Sequence, residues 1–101
     1  MNIEIDPKLA KIIDDDRKLK RSYGKLAKKI KLTISILKVA SNLEEVPNCP
    51  PTRRHKLQRE YKNCWAVDLS ANYRLIIKAN SDSDDLSKIT DITVIGIEDY
   101  H

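Results

Sequence analysis

Glycine is almost missing from this chain: 101 residues contain only Gly24 and Gly96. A loop that cradles phosphate needs several glycines close together, so that backbone N–H groups can turn toward the anion. Neither a nucleotide-triphosphate loop nor a dinucleotide fingerprint can be built from two. Histidine and cysteine are equally scarce, with two of each. Cys49 and Cys64 form no Cys-x-x-Cys pair, and no Cys/His cluster has zinc-ligand spacing. Two ordinary thiols in a reducing compartment are expected, with no metal and no other cofactor. No apolar run approaches the roughly 20 residues of a membrane span. The segment Met1 to Asp6 lacks the basic and apolar regions of a secretory signal. The expectation is a cytoplasmic protein that does not engage a membrane.

Hydrophobic residues make up 41% of the chain, which fits one globular domain over residues 1–101. The net charge of +4 is unevenly spread. Residues 1–50 carry 11 basic and 7 acidic side chains, whereas residues 51–101 carry 8 of each. Arg17 to Lys31 holds eight basic residues and no acid. A second basic knot comprises Arg53, Arg54, His55 and Lys56, followed by Arg59 and Lys62, with only Glu60 against it. One such run alone is as readily a solvated helix face. Two clusters in a small chain point to a polyanion, attracted through counterion release and a steering field, or to an acidic protein.

Along the chain, Ile3 and Ile5 alternate with Asn2 and Glu4 as a short strand. Asp6-Pro7 reads as a helix start, with Leu9, Ile12 and Ile13 as its apolar stripe. Asp14-Asp15-Asp16 opposes the dipole at a helix C-terminus and is better suited to capping the next helix. Tyr23, Leu26, Ala27, Ile30, Ile34 and Leu37 recur at helical spacing, predicting a second helix capped by Ser22 and running to about Asn42. After Pro47, Pro50 and Pro51 the period becomes two. Arg54 to Leu57 and Trp65 to Leu69 read as strands. Ser70-Ala71-Asn72 reads as a hairpin connection with Asn72 left-handed, and Tyr73 to Ala79 returns. Residues 80–88 form a polar loop, and Ile89 to Ile97 forms the last strand. The predicted class is α+β, with an N-terminal strand and two helices packed on one face of a mainly antiparallel sheet.

An arginine within an apolar strand needs a partner or a task. Arg74 lies on the opposite face from Tyr73, Leu75 and Ile77. Asp68 across the hairpin is its simplest structural partner, whereas its guanidinium fork also suits phosphate. If the last strand lies beside that of Arg74, the residues that follow it, Asp99, Tyr100 and His101, approach Arg74 and His55. Two imidazoles, a phenol, a carboxylate and a guanidinium in a basic groove suit metal-free cleavage of an RNA phosphodiester. That reaction needs a base for the 2′-hydroxyl proton, cations for the phosphate and an acid for the leaving 5′-oxygen.

The segment Arg54-His55-Lys56-Leu57, the Trp65 strand, Ala71-Asn72-Tyr73-Arg74-Leu75 and the terminal Glu98-Asp99-Tyr100-His101 together resemble the HigB-type plasmid-maintenance killer toxins. These belong to the RelE/ParE superfamily of toxin–antitoxin systems. The resemblance implies a RelE-like fold and ribosome-dependent cleavage of messenger RNA in the decoding site. It also implies inhibition by a helix-turn-helix, HigA-like antitoxin in a heterotetramer. It places His55, Arg74, Asp99, Tyr100 and His101 at catalytic positions, with Arg74 on the scissile phosphate and the two imidazoles as base and acid in unassigned order. In that picture Tyr100 stacks on a base or orients the nucleotide, and Asp99 orients its neighbours. Arg53, Arg54, Lys56, Arg59 and Lys62 are the expected RNA-binding residues. The pattern departs where relatives carry His-x-x-Lys and a Gly-Asp turn, since this chain has Gln58 and no glycine. Strand alternation predicts Arg59 and Lys56 on the other face from Gln58. The competing functions are a non-nuclease toxin of the gyrase-inhibiting kind and a basic nucleic-acid-binding module centred on Arg17 to Lys31.

Overall fold

Local chemistry sets most of the element boundaries. In a computed structural model that describes residues 1–59 and 61–99, strand β1 (Asn2–Ile5) half-buries Ile3 and Ile5 and exposes Asn2 and Glu4. Helix α1 (Pro7–Ile13) starts where the Asp6 carboxylate accepts the Lys8 N–H at 3.0 Å, with Pro7 as its first residue. Helix α2 (Asp16–Tyr23) begins where Asp15 accepts from the N–H groups of Arg17 and Lys18 at 3.0 and 3.2 Å. The acidic triplet therefore serves the following helix, as the dipole argument requires.

The predicted second helix is in fact two. Gly24 takes φ 53°, a left-handed value that ends α2 after Tyr23, and α3 (Leu26–Val39) restarts beyond it. Ser22 lies inside α2 and caps nothing. The apolar stripe continues across the break, so periodicity carries no sign of it. Lys31 of α3 ties back to Asp16 in the first turn of α2 and holds that carboxyl below its ordinary range. The chain leaves α3 at Ala40, and Asn42 caps a short 3-10 turn, Leu43–Glu45.

The remaining strands are β2 (His55–Lys56), β3 (Cys64–Asp68), β4 (Tyr73–Ala79) and β5 (Asp91–Asp99). They form one sheet in the order β1-β5-β4-β3-β2, antiparallel except for the β1–β5 pair. All three helices contribute to one core: Leu9, Ile13, Leu19, Ile30 and Leu37 pack against Trp65, Val67, Leu75, Ile77, Ile92 and Val94. The β3–β4 hairpin closes without a left-handed residue. The Ser70 hydroxyl accepts from the N–H groups of Asn72 and Tyr73, each at 3.2 Å, and Leu69 donates to the Tyr73 carbonyl at 2.9 Å. Among the described non-glycine residues, positive φ falls at Arg53, Arg59 and Asn63, not at Asn72.

Two features shape the face away from the helices. Leu57, Cys64, Ala66 and Ile76 form a second small core there, with Tyr61 packed over it. In β5, Ile76 pairs with Gly96 but the next residue, Ile77, pairs with Val94, so Ile95 is an extra residue, a β-bulge. Before the bulge Ile92 and Val94 point into the main core; after it Ile97 does, opposite Leu75, and Glu98 is turned to the open face.

Asp15→Ala should cost roughly 0.5–2 kcal/mol in urea unfolding, because it removes the cap of α2. Ser22→Ala should stay within about 0.5 kcal/mol of wild type. A larger loss from Ser22→Ala would restore the single-helix reading.

Candidate functional site

The sheet register lays out the open face as a grid. His55 stands opposite Ala66, Ala66 opposite Ile76 and Ile76 opposite Gly96; two residues along, Asp68, Arg74 and Glu98 form the next row. With about 4.8 Å between strands and about 3.3 Å per residue, the Cα atoms of His55 and Arg74 lie on the order of 12 Å apart.

His55 is half-buried, and its Nδ1 lies 2.8 Å from the Arg53 carbonyl oxygen. A carbonyl only accepts, so Nδ1 carries the proton and the neutral ring presents its lone pair at Nε2. Among the described residues no hydrogen bond occupies Nε2.

Arg74 does not take the partner that hairpin geometry suggests, although Asp68 is directly opposite it. Asp68 is held by Arg53, through Nε at 2.7 Å and Nη2 at 3.3 Å. Arg74 instead donates from Nη2 to Glu98 Oε1 at 3.2 Å, and the Tyr61 hydroxyl donates to Glu98 Oε2 at 2.7 Å. Glu98 and Tyr61 are open-face residues beside Arg74 that sequence reasoning did not name as site candidates. The Gly96 in a strand run was the one available signal of the bulge that brings Glu98 round. Asp99, paired with Tyr73 in the register, is turned by alternation to the other face from Arg74. Tyr100 and His101 lie outside the described residues.

The expected RNA-binding residues divide into two groups. Arg53 and Arg54 lie beside the Arg74 row. Arg53 is engaged with Asp68, and Arg54 donates from Nε to the Val46 carbonyl at 2.8 Å. Lys56, Arg59 and Lys62 lie at the opposite end of the sheet, where with Gln58, Asp82 and Asp84 they line an open cleft of about 750 Å³. The alternation argument for Gln58 fails here. Lys56 and Gln58, two residues apart, share a face of any strand, and because β2 ends at Lys56 the turning backbone brings Arg59 to the same cleft.

Burial raises the Cys64 thiol pKa, with Lys78 opposing the shift, whereas Cys49 is exposed. Iodoacetamide at about pH 8 should therefore alkylate Cys49 in the native protein and spare Cys64 until denaturant is added, read by peptide mass spectrometry. Equal labelling would contradict the second small core. Among the described residues no group of three His, Cys, Asp or Glu side chains is placed to hold a metal ion. No described helix is long and apolar enough to cross a membrane.

No protein-family model and no curated protein matches the chain. Solved structures do. The YoeB/ParE toxin from Agrobacterium tumefaciens superposes with a TM-score of 0.61 at 15% identity, covering 100% of both chains. YafQ from E. coli strain BL21(DE3) gives 0.66 at 19% identity, covering 98% of this chain and 92% of its own. The heterotetrameric YoeB-YefM toxin-antitoxin complex from Staphylococcus aureus gives 0.54 at 19%, covering 100% and 97%. The α+β arrangement of three helices on a five-stranded, mostly antiparallel sheet is thus the fold of the RelE/ParE-like toxins.

Proposed function

We propose that this chain is the toxin of a type II toxin–antitoxin system, of HigB type, and that it cleaves messenger RNA on the ribosome. The observation that carries the reading is one sheet face holding His55, its Nδ1 fixed by the Arg53 carbonyl, and, one row along, Arg74. The chemistry follows from these groups. Arg74 neutralises the scissile phosphate. His55 Nε2 takes the proton from the 2′-hydroxyl as that oxygen attacks phosphorus. The bond to the 5′-oxygen breaks, leaving a 2′,3′-cyclic phosphate, and an acid protonates the leaving oxygen. His101 is the proposed acid, and Tyr100 stacks on a base or orients the nucleotide; Asp99, turned to the other face from Arg74, orients its chain neighbours. Arg53, Arg54, Lys56, Arg59 and Lys62 hold the flanking backbone.

The Arg74–Glu98 pair gives this reading a specific form. A guanidinium has five N–H donors, so Arg74 can receive a phosphate either beside Glu98 or in exchange for it. The fold shared with YoeB supports a protein partner of the antitoxin class, since the Staphylococcus aureus YoeB is described as half of a heterotetrameric complex with YefM. The proposed partner here is a HigA-like, helix-turn-helix antitoxin, with the ribosome as the place of action in the cytoplasm.

Messenger RNA cleavage mapped on translating ribosomes tests the nuclease. Wild type should cleave, and His55→Ala and Arg74→Ala should each lower the rate by about 100-fold or more. His101→Ala should also slow it if that imidazole is the acid. No cleavage by wild type would favour the gyrase-inhibiting kind of toxin, and full activity in His55→Ala would remove the base assignment. Separately, Glu98→Gln should raise affinity for single-stranded RNA about threefold at a stability cost below about 1 kcal/mol, because a half-exposed ion pair contributes little. Unchanged affinity would mean that Glu98 does not compete with phosphate.

A further inference from the structure

The cleft at the far end of the sheet has a charge pattern that the cleavage chemistry does not use. Lys56, Arg59 and Lys62 line it together with Asp82 and Asp84, and all five side chains are exposed. Among the described residues none of the five is in an ion pair, although opposite charges share one cavity wall. The wall is held in shape by other means. Asn63, left-handed at φ 59°, donates from Nδ2 to Asp82 Oδ1 at 2.7 Å, which ties the β2–β3 connection to the β4–β5 loop. Lys56 rests its ammonium 5.5 Å from the Trp65 ring centroid.

Cations and carboxylates kept apart in one cleft match a ligand that is anionic at one end and a hydrogen-bond donor at the other. A phosphodiester alone would have no use for the carboxylates. A nucleotide within a strand has both features: a phosphodiester for the lysines and arginine, and a base edge for the acids. The volume of about 750 Å³ lies within the usual range of small-ligand sites, roughly 300–1,000 Å³. Position agrees as well, because Leu57, two residues on from His55 and packed with Ala66 on the same open face, also lines the cleft. An RNA strand running along β2 past His55 passes next into this cleft.

We propose that the cleft is a base-reading subsite for a nucleotide flanking the cleaved one, and that Asp84 makes it select bases bearing an exocyclic amine. A carboxylate only accepts hydrogen bonds. Adenine, cytosine and guanine present an amine donor, whereas uracil has a carbonyl oxygen where cytosine has its amine, and its one donor, N3–H, lies between two carbonyl oxygens that repel a carboxylate. Asp84 is the discriminating group because Asp82 is engaged with Asn63. The choice of RNA as ligand rests on the RNA-cleaving reading; the selectivity rests on the cleft.

Fluorescein-labelled 2′-O-methyl hexanucleotides of A, C, G or U, which cannot undergo 2′-hydroxyl attack, separate the two. By anisotropy at low salt, wild type should bind the A, C and G oligomers at least fivefold more tightly than the U oligomer. Asp84→Ala should erase that ratio, and Lys62→Ala should weaken all four about equally. The same discrimination should persist in His55→Ala, whose binding cleft is intact. Equal binding of U and A by wild type, discrimination that survives Asp84→Ala, or no binding of any oligomer would each overturn the subsite. Discrimination in a protein that cuts nothing on ribosomes would support the subsite while removing the nuclease reading. Ribosomal cleavage without discrimination would do the reverse.

Discussion

One extra residue in β5 decides what the open face of the sheet can be. Strand β5 is paired on both sides, parallel to β1 and antiparallel to β4, so its alternation is constrained twice. Uninterrupted alternation from Ile92 and Val94 would send Gly96 and then Glu98 into the helix-side core. A carboxylate there would be buried among aliphatic side chains, and Arg74 would lose the Glu98 carboxylate. The bulge at Ile95 reverses the parity: Ile97 takes the inward position opposite Leu75, and Glu98 meets Arg74 on the outside. Ile95 itself is left 38% exposed, a small apolar cost. The strand thereby remains apolar toward the helices from Ile92 to Ile97 while placing Glu98 beside Arg74 in the charged row on the other face.

That row is coupled to the second small core through Tyr61. Its ring packs over Leu57, Cys64, Ala66 and Ile76, and its hydroxyl is bonded to Glu98. The connection between β2 and β3 is therefore anchored at the same carboxylate that holds Arg74. Lys62 and Asn63, which help to form the cleft, follow Tyr61 directly. The charged row and the cleft lie at opposite ends of the sheet, yet they share a support of a few apolar side chains and one phenol. Its contribution is positional more than energetic, since the Arg74 and Glu98 side chains are 19% and 35% exposed and such pairs are weak.

The strands were legible from sequence because their two faces meet different surroundings: β1 alternates half-buried and exposed, and β3 and β4 alternate between the helix-side core and the small outer one. The break at Gly24 was not, because Leu19 and Tyr23 continue into the stripe of Leu26, Ala27 and Ile30 as though no residue intervened. Hydrophobic period reports which face is buried and is silent on a single left-handed φ. The same blindness moved the left-handed turn residue from Asn63 to Asn72: both are asparagines in loops, and only the Ser70 hydroxyl, which satisfies the backbone at Asn72, distinguishes them. At the site, His55 and Arg74 were identifiable as polar residues in strand runs. The partner of Arg74 was not, since Asp68 was claimed by Arg53, 15 residues away, and Glu98 required the bulge.

The distribution of paired and unpaired charge separates attraction from binding. On the open face, Arg53 is held by Asp68 and Arg74 by Glu98. Among the described residues, the cations of α2, those of α3 other than Lys31, and those of the cleft are in no ion pair, and such charges can draw in a polyanion from a distance. In the proposed role, a phosphate arriving at Arg74 meets a guanidinium already beside a carboxylate, and it can sit next to Glu98 or take its place. In the second case one oxyanion replaces another, and the cation keeps an acceptor throughout. How readily phosphate competes would then depend on how firmly Tyr61 retains Glu98. The bulge and the small outer core, which place those two residues, are what such a competition would act against.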